Sequence, residues 1–125
     1  MRYNFYENEV FQEMTANTLI FVVDDEPTAR TLMSKWIEKF GYEVRAFSSG
    51  EQCLEALDEA PSAICLDIMM PGLDGIEVLK HIQIIENQLP VIMVTAKDSL
   101  ELAVKSMKLG AYDYIRKPID RSRLE

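Results

Sequence analysis

Several residue types able to do chemistry stand at the ends of short stretches that read as buried strands. Asp24, Asp25 and Glu26 follow Leu19-Ile20-Phe21-Val22-Val23, Asp67 follows Ala63-Ile64-Cys65-Leu66, Thr95 follows Val91-Ile92-Met93-Val94, and Lys117 follows Asp113-Tyr114-Ile115-Arg116. Runs of this length, rich in branched side chains, read as buried strands. A further run, Glu43-Val44-Arg45-Ala46-Phe47, leads instead into serines and a glycine. In a parallel sheet every strand points the same way, so the residues at the carboxyl ends meet along one edge. The expected site is a carboxylate cluster completed by a hydroxyl and an amine.

Three carboxylates brought close together repel, and a bound divalent cation keeps them ionised near neutral pH. Hard oxygen donors without His or Cys ligands favour Mg²⁺ over zinc. Mg²⁺ shares its shell readily with phosphate oxygens, so a phosphoryl group is expected at the same place. Thr95 can donate a hydrogen bond to that group, and Lys117 can neutralise it as a mobile point charge. The nucleophile must be a carboxylate, and an Asp attacking phosphorus gives an acyl phosphate. Asp67 stands alone at its strand end and opens into Ile68-Met69-Met70-Pro71-Gly72. It is the better acceptor, leaving Asp24 and Asp25 to hold metal.

Amphipathic helices are expected between these strands. Leu32, Met33, Trp36, Ile37 and Phe40 recur at helical spacing after Pro27, which suits a first turn, and Gly41 closes the helix. A second helix spans Glu51 to Glu59, capped by Ser48 or Ser49, carrying Cys53, Leu54 and Leu57 and stopped by Pro61. Gly75 opens a third with Ile76, Leu79, Ile82 and Ile85 inward, ending before Pro90. Asp98 or Ser99 caps a fourth whose apolar set is Leu100, Ala103, Val104 and Met107, and a fifth has barely begun after Pro118 when the sequence stops. Repeating strand-helix units imply right-handed crossovers covering both faces of a parallel sheet. The fold class is α/β, doubly wound, with five strands in the flavodoxin-like order 2-1-3-4-5 and Asp24, Asp25 and Asp67 at its switch point.

Composition fits one intracellular domain. With 125 residues, 48% of them apolar, the chain can bury one core and not two. A net charge of −8 would repel a phosphate backbone, so direct nucleic-acid binding is not expected. No apolar run has the length of a membrane span and no signal peptide is recognisable, which makes the cytoplasm the expected location. Cys53 and Cys65 lack metal-ligand spacing and read as reduced packing residues. His81 reads as exposed, Asp74 as a turn former with Gly72 and Gly75, and Met69 and Met70 as packing residues.

Four pieces in register, Val22-Val23-Asp24-Asp25-Glu26, the run Asp67-Ile68-Met69-Met70-Pro71-Gly72-Leu73-Asp74-Gly75, Val94-Thr95-Ala96 and Lys117-Pro118, resemble the receiver domain of two-component response regulators over about residues 18 to 120. The resemblance implies that Asp67 is the phospho-acceptor, that Asp25 and Asp67 bind Mg²⁺ directly while Asp24 acts through water, and that the Met69 carbonyl completes the protein ligands. It makes Thr95 and Lys117 phosphoryl-sensing residues, Tyr114 the aromatic that swings inward on activation, and Lys117-Pro118 a cis bond. Such a domain is a signalling switch that phosphorylates and dephosphorylates itself, not an enzyme acting on other substrates. Its partner would be a sensor histidine kinase.

The stretch from Leu102 to Ile115, with Lys117-Pro118 behind it, is similar to receivers of nitrogen-regulator-type transcription activators, which implies an ATPase and DNA-binding output beyond Glu125. The surface of helix four, strand five and helix five is then the expected output face. Glu101, Lys105, Lys108 and Arg116 would serve there either a phosphorylation-dependent homodimer or merely a solvated face. Lys97 would alter the lifetime of the phosphate in either direction. Met1 to Asn17 is an N-terminal extension, tail or short helix, since Tyr3, Tyr6, Val10 and Met14 fall at near-helical spacing. Other classes fit less well. A flavin carrier would want Ser, Thr and Gly where Asp24-Asp25-Glu26 stands, and a haloacid-dehalogenase-type phosphatase would want its two acids two positions apart.

Overall fold

The computed structural model describes residues 18–96 and 100–117. Strands β1 (Leu19–Val23), β2 (Glu43–Phe47), β3 (Ala63–Asp67), β4 (Val91–Thr95) and β5 (Asp113–Arg116) alternate with helices α1 (Pro27–Lys39), α2 (Gly50–Glu55), α3 (Gly75–Ile85) and α4 (Leu100–Lys108). All four strand pairings are parallel and the order is β2-β1-β3-β4-β5, as the alternation implies.

The alternation of side chains across each strand divides the core. Phe21, Val23, Ile64, Leu66, Val91 and Met93 pack with Cys53, Val78, Leu79 and Ile82 on the face carrying α2 and α3. Val22, Cys65 and Val94 pack under Met33 and Ile37 of α1 on the other. With both faces covered, the central strands read as unbroken apolar runs. Both cysteines are free and buried, and burial pushes each thiol up to about 12, which fits packing residues rather than nucleophiles. Among the described residues no helix is long and apolar enough to cross a membrane.

Three expectations about the helices need correction. The second helix does not run unbroken to Glu59. After Glu55 it tightens into a 3-10 turn over Leu57–Glu59, because Ala56, Glu59 and Ala60 each donate to the carbonyl three residues back, and Ala60 ends it at φ 58° ahead of Pro61. In α3, Ile76, Leu79 and Ile82 are buried as expected, but Ile85 is 60% exposed, because the helix ends there with no element among the described residues over its last turn.

The third correction is in α4. Of its predicted apolar set, Leu100, Val104 and Met107 are exposed and Ala103 is half-buried, while Ser106 is buried and Leu102 and Leu109 pack on the sheet. The helix is turned so that Leu102, Ser106 and Leu109, spaced i, i+4 and i+7, face inward. The N-terminal extension, Lys97, the Asp98 or Ser99 cap, the Lys117-Pro118 bond and the fifth helix lie outside the described residues.

Candidate functional site

The carboxyl ends of the strands converge as the sequence implies. Asp24 sits one residue past β1 and is 2% exposed; its N–H donates to the Phe47 carbonyl at 3.1 Å, extending the β1–β2 ladder into the loop. The Arg30 guanidinium reaches back from α1 to donate to the Asp24 carbonyl at 2.8 Å. Asp24 Oδ1 accepts the Glu26 N–H at 3.0 Å, and Glu26 accepts from Ala29 at 2.6 Å. Glu26 is therefore the cap of α1, with Pro27 as its first residue, and Asp25 is left exposed at the mouth.

Asp67 ends β3 at 5% exposure. A Cβ on Gly75 would stand 2.2 Å from the Asp67 carbonyl oxygen, and the Gly75 N–H donates to the Ile68 carbonyl at 2.8 Å. Only glycine lets α3 begin this close to the strand end. Asp74 caps α3 by accepting the Glu77 N–H at 3.0 Å, as its turn-forming reading implies. From α2, Glu51 accepts the Leu73 N–H at 3.4 Å, tying the loop from the second side. Met70 is buried, whereas the Met69 side chain is 56% exposed and does not pack as expected.

The Lys117 N–H donates to the Thr95 carbonyl at 2.8 Å, continuing the β4–β5 ladder and carrying the amine over the acids. Its Nζ donates to Asp24 Oδ2 at 2.6 Å and lies 3.6 Å from Asp67 Oδ2. One carboxylate oxygen from each of Asp24, Asp25 and Asp67 lies within 4.8 Å of the others. Burial, reinforced by the Asp24 charge, pushes the Asp67 carboxyl from an ordinary 3.8 up to about 6, against the pull of Lys117. Burial acts to lower Lys117, but the hydrogen bond to Asp24 and the charges of Asp67 and Asp24 outweigh it and raise the amine. Lys117 therefore stays charged and offsets part, not all, of the acidic cluster.

Thr95 is fully buried, and β3 and β4 register Asp67 against Val94. Side-chain parity puts Thr95 on the sheet face of Met93, which packs with α3. Tyr114 is the register partner of Met93 and packs, half-buried, against the same cluster. Thr95 and Tyr114 thus share a face on adjacent strands. His81 is exposed and donates from Nδ1 to the Glu77 carbonyl at 2.8 Å. Asp24, Asp25, Asp67 and Lys117 are thus brought into one cluster with Thr95 beside it. Arg30 and the close approach at Gly75 were not anticipated. A basic residue in the first turn of α1, six after Asp24, is the signal that points to Arg30.

The sequence matches the family described as response regulator receiver domain over residues 20–125. It is 44% identical over 103 residues to the alkaline phosphatase synthesis transcriptional regulatory protein PhoP of Bacillus subtilis, covering 82% of this chain and 43% of that one. It is 38% identical over 103 residues to the DNA-binding transcriptional regulator NtrC of Escherichia coli, covering 82% of this chain and 22% of NtrC. The chain therefore spans less than half the length of either relative. The crystal structure of the receiver domain of NtrX from Brucella abortus superposes with a TM-score of 0.80 at 37% identity, covering 84% of this chain and 90% of that one.

Proposed function

This chain belongs to the response regulator receiver domain family, and from that premise we propose that Asp67 is the residue phosphorylated by a sensor histidine kinase. The observation that carries this reading is the convergence of three carboxylates and one lysine at the switch point of the sheet. An Asp67 carboxylate oxygen attacks the phosphorus of a phosphohistidine, the phosphorus–nitrogen bond breaks, and its electron pair stays with the departing imidazole. The product is an acyl phosphate, which water later cleaves to inorganic phosphate and the free carboxylate.

The donor set fits Mg²⁺, since it offers hard oxygens, no sulfur or imidazole, and excess negative charge that Lys117 does not cancel. Asp25 and Asp67 would hold the ion directly, Asp24 through water, and the Met69 carbonyl would complete the protein ligands. When bound, the ion supplies positive charge that offsets the repulsion between these acids and an incoming phosphoryl group. Burial makes Asp67 a more basic, better nucleophile that is still mostly ionised at neutral pH. Lys117, poised between Asp24 and Asp67, exchanges part of its ion pair for a phosphoryl oxygen.

Phosphorylation then acts as a population shift. The Thr95 hydroxyl turns to the phosphoryl group, and Tyr114, on the same face, moves inward. The face this changes is α4 and β5, where Leu100, Val104, Met107 and Tyr112 lie exposed among Glu101, Lys105, Lys108 and Arg116. An apolar stripe with a charged rim is suited to a homodimer or to an output domain. The likeness to NtrC and PhoP supports control of transcription, and the nitrogen-regulator-type pattern from Leu102 to Ile115 supports an ATPase and DNA-binding output elsewhere in a longer protein. Residues 18–125 are the switch unit, placed in the cytoplasm, with no direct nucleic-acid contact at a net charge of −8. Incubation with acetyl phosphate and Mg²⁺, read by intact mass, tests the reading: one phosphoryl group is expected. No adduct at short times would overturn it.

A further inference from the structure

An apolar groove of about 520 Å³ lies on the sheet edge opposite the acidic site. The turn after α2 forms one wall with Leu57, Ala60 and Pro61, and the end of α3 and its connection to β4 form the other with Ile85, Leu89 and Pro90. Ile84, the residue before Ile85 in α3, is 85% exposed. Two adjacent isoleucines left in water beside a concave apolar surface are costly to solubility unless something covers them.

We propose that the groove is the docking site of this chain's own residues 1–17, the N-terminal extension. The attachment point favours this occupant. The Ser62 N–H donates to the Leu19 carbonyl at 2.7 Å, and Ser62 lines the groove, so the extension leaves the sheet beside its mouth. The groove lies under β3 and β4, one or two strand spacings from β1, or roughly 5–10 Å. Seventeen residues reach that distance many times over. Tyr3, Tyr6, Val10 and Met14 recur at the spacing of one helical face, and Phe5 and Phe11 add apolar area.

Charge does not drive the contact. Asp58 and Glu86 line the groove, and the extension carries Glu7, Glu9 and Glu13 against Arg2 alone. Added salt therefore leaves the contact intact or tightens it. Docking at this edge keeps the mouth around Asp67 and the α4–β5 face open, so the extension acts as a cover for the base of the sheet.

Amide hydrogen exchange on the full chain tests this, comparing wild type with Ile85→Ser, the pair Tyr6→Ser/Val10→Ser, and all three together. Ile85 is largely exposed, and amides of β1 and β3 report whether the core stays folded. Release of the extension should speed exchange at residues 57–60 and 86–89 by about fivefold in either variant, with no further gain in the combination. Unchanged exchange there, additive effects, changes that map to α1 or β5, or protection that appears only at concentrations where the chain dimerises would each overturn the proposal.

Discussion

Replacing Asp67 with Asn should stabilise the protein in the absence of metal. Asp67 is 5% exposed at the end of β3, and its carboxyl is raised from 3.8 to about 6, first by burial and then by the charge of Asp24. A folded pKa about two above the unfolded one means that the charged form is disfavoured in the native state by roughly 3 kcal/mol. The sign follows from proton linkage. Between about pH 4 and 6 the native state holds a proton that the unfolded chain has lost, so this group's contribution is fully present below the unfolded pKa and is lost as pH rises through 6.

Asn removes that loss, and for a domain of this length about 3 kcal/mol corresponds to a rise in Tm on the order of 10 °C near pH 7.5. The gain should shrink towards zero near pH 4, where wild-type Asp67 is itself largely neutral. Urea or thermal unfolding at both pH values, in chelator, measures it. Added Mg²⁺ should stabilise the wild type much more than the variant. A variant that is less stable near pH 7.5, or equally shifted at both pH values, would refute the electrostatic account of the cluster.

Gly75→Ala should cost about 2–3 kcal/mol, because its Cβ would meet the Asp67 carbonyl at 2.2 Å, and it should weaken Mg²⁺ binding by displacing the strand end; denaturant melts and Mg²⁺ titration read both. Ser106→Ala should raise stability by about 1–2 kcal/mol in the same melts, since the buried Ser106 hydroxyl has no hydrogen-bond partner among the described residues. Ala60→Gly should stabilise by about 0.5–1 kcal/mol by relieving the left-handed backbone at φ 58°, and a loss of stability would show that the turn is held differently. Val104→Glu should leave folding and phosphate acceptance unchanged while weakening any phosphate-dependent self-association by tenfold or more, measured by sedimentation, because Val104 is already partly exposed on α4.

The strands were legible because both faces of the sheet are covered, which forces unbroken apolar runs such as Ile64-Cys65-Leu66. The acidic cluster was legible because strand ends in a parallel sheet share one edge, so position in sequence becomes position in the site. The inward face of α4 was not legible. Leu100, Val104 and Met107 satisfy a helical stripe as well as Leu102, Ser106 and Leu109 do, and a buried serine defeats a reading based on apolar spacing.

The tightening of α2 after Glu55 into a 3-10 turn, and the left-handed alanine that ends that turn, are announced by nothing in the residue types. Arg30 and Gly75 act through backbone oxygens, the carbonyls of Asp24 and Asp67, and such contacts leave no pattern in side-chain chemistry. Asp24 shows the opposite case. Its acidity was legible, but its direct ion pair with Lys117, ninety-three positions away, is a product of the fold.

The central claim, that Asp67 accepts the phosphoryl group, is tested most directly by trapping the bond. Borohydride reduction of protein treated with acetyl phosphate and Mg²⁺ converts an aspartyl phosphate to homoserine, and peptide sequencing by mass spectrometry locates it. Homoserine at position 67 alone, absent without Mg²⁺ and absent in Asp67→Asn, is the predicted result. Homoserine at position 24 or 25, or none despite a phosphoryl adduct on the intact protein, would contradict it.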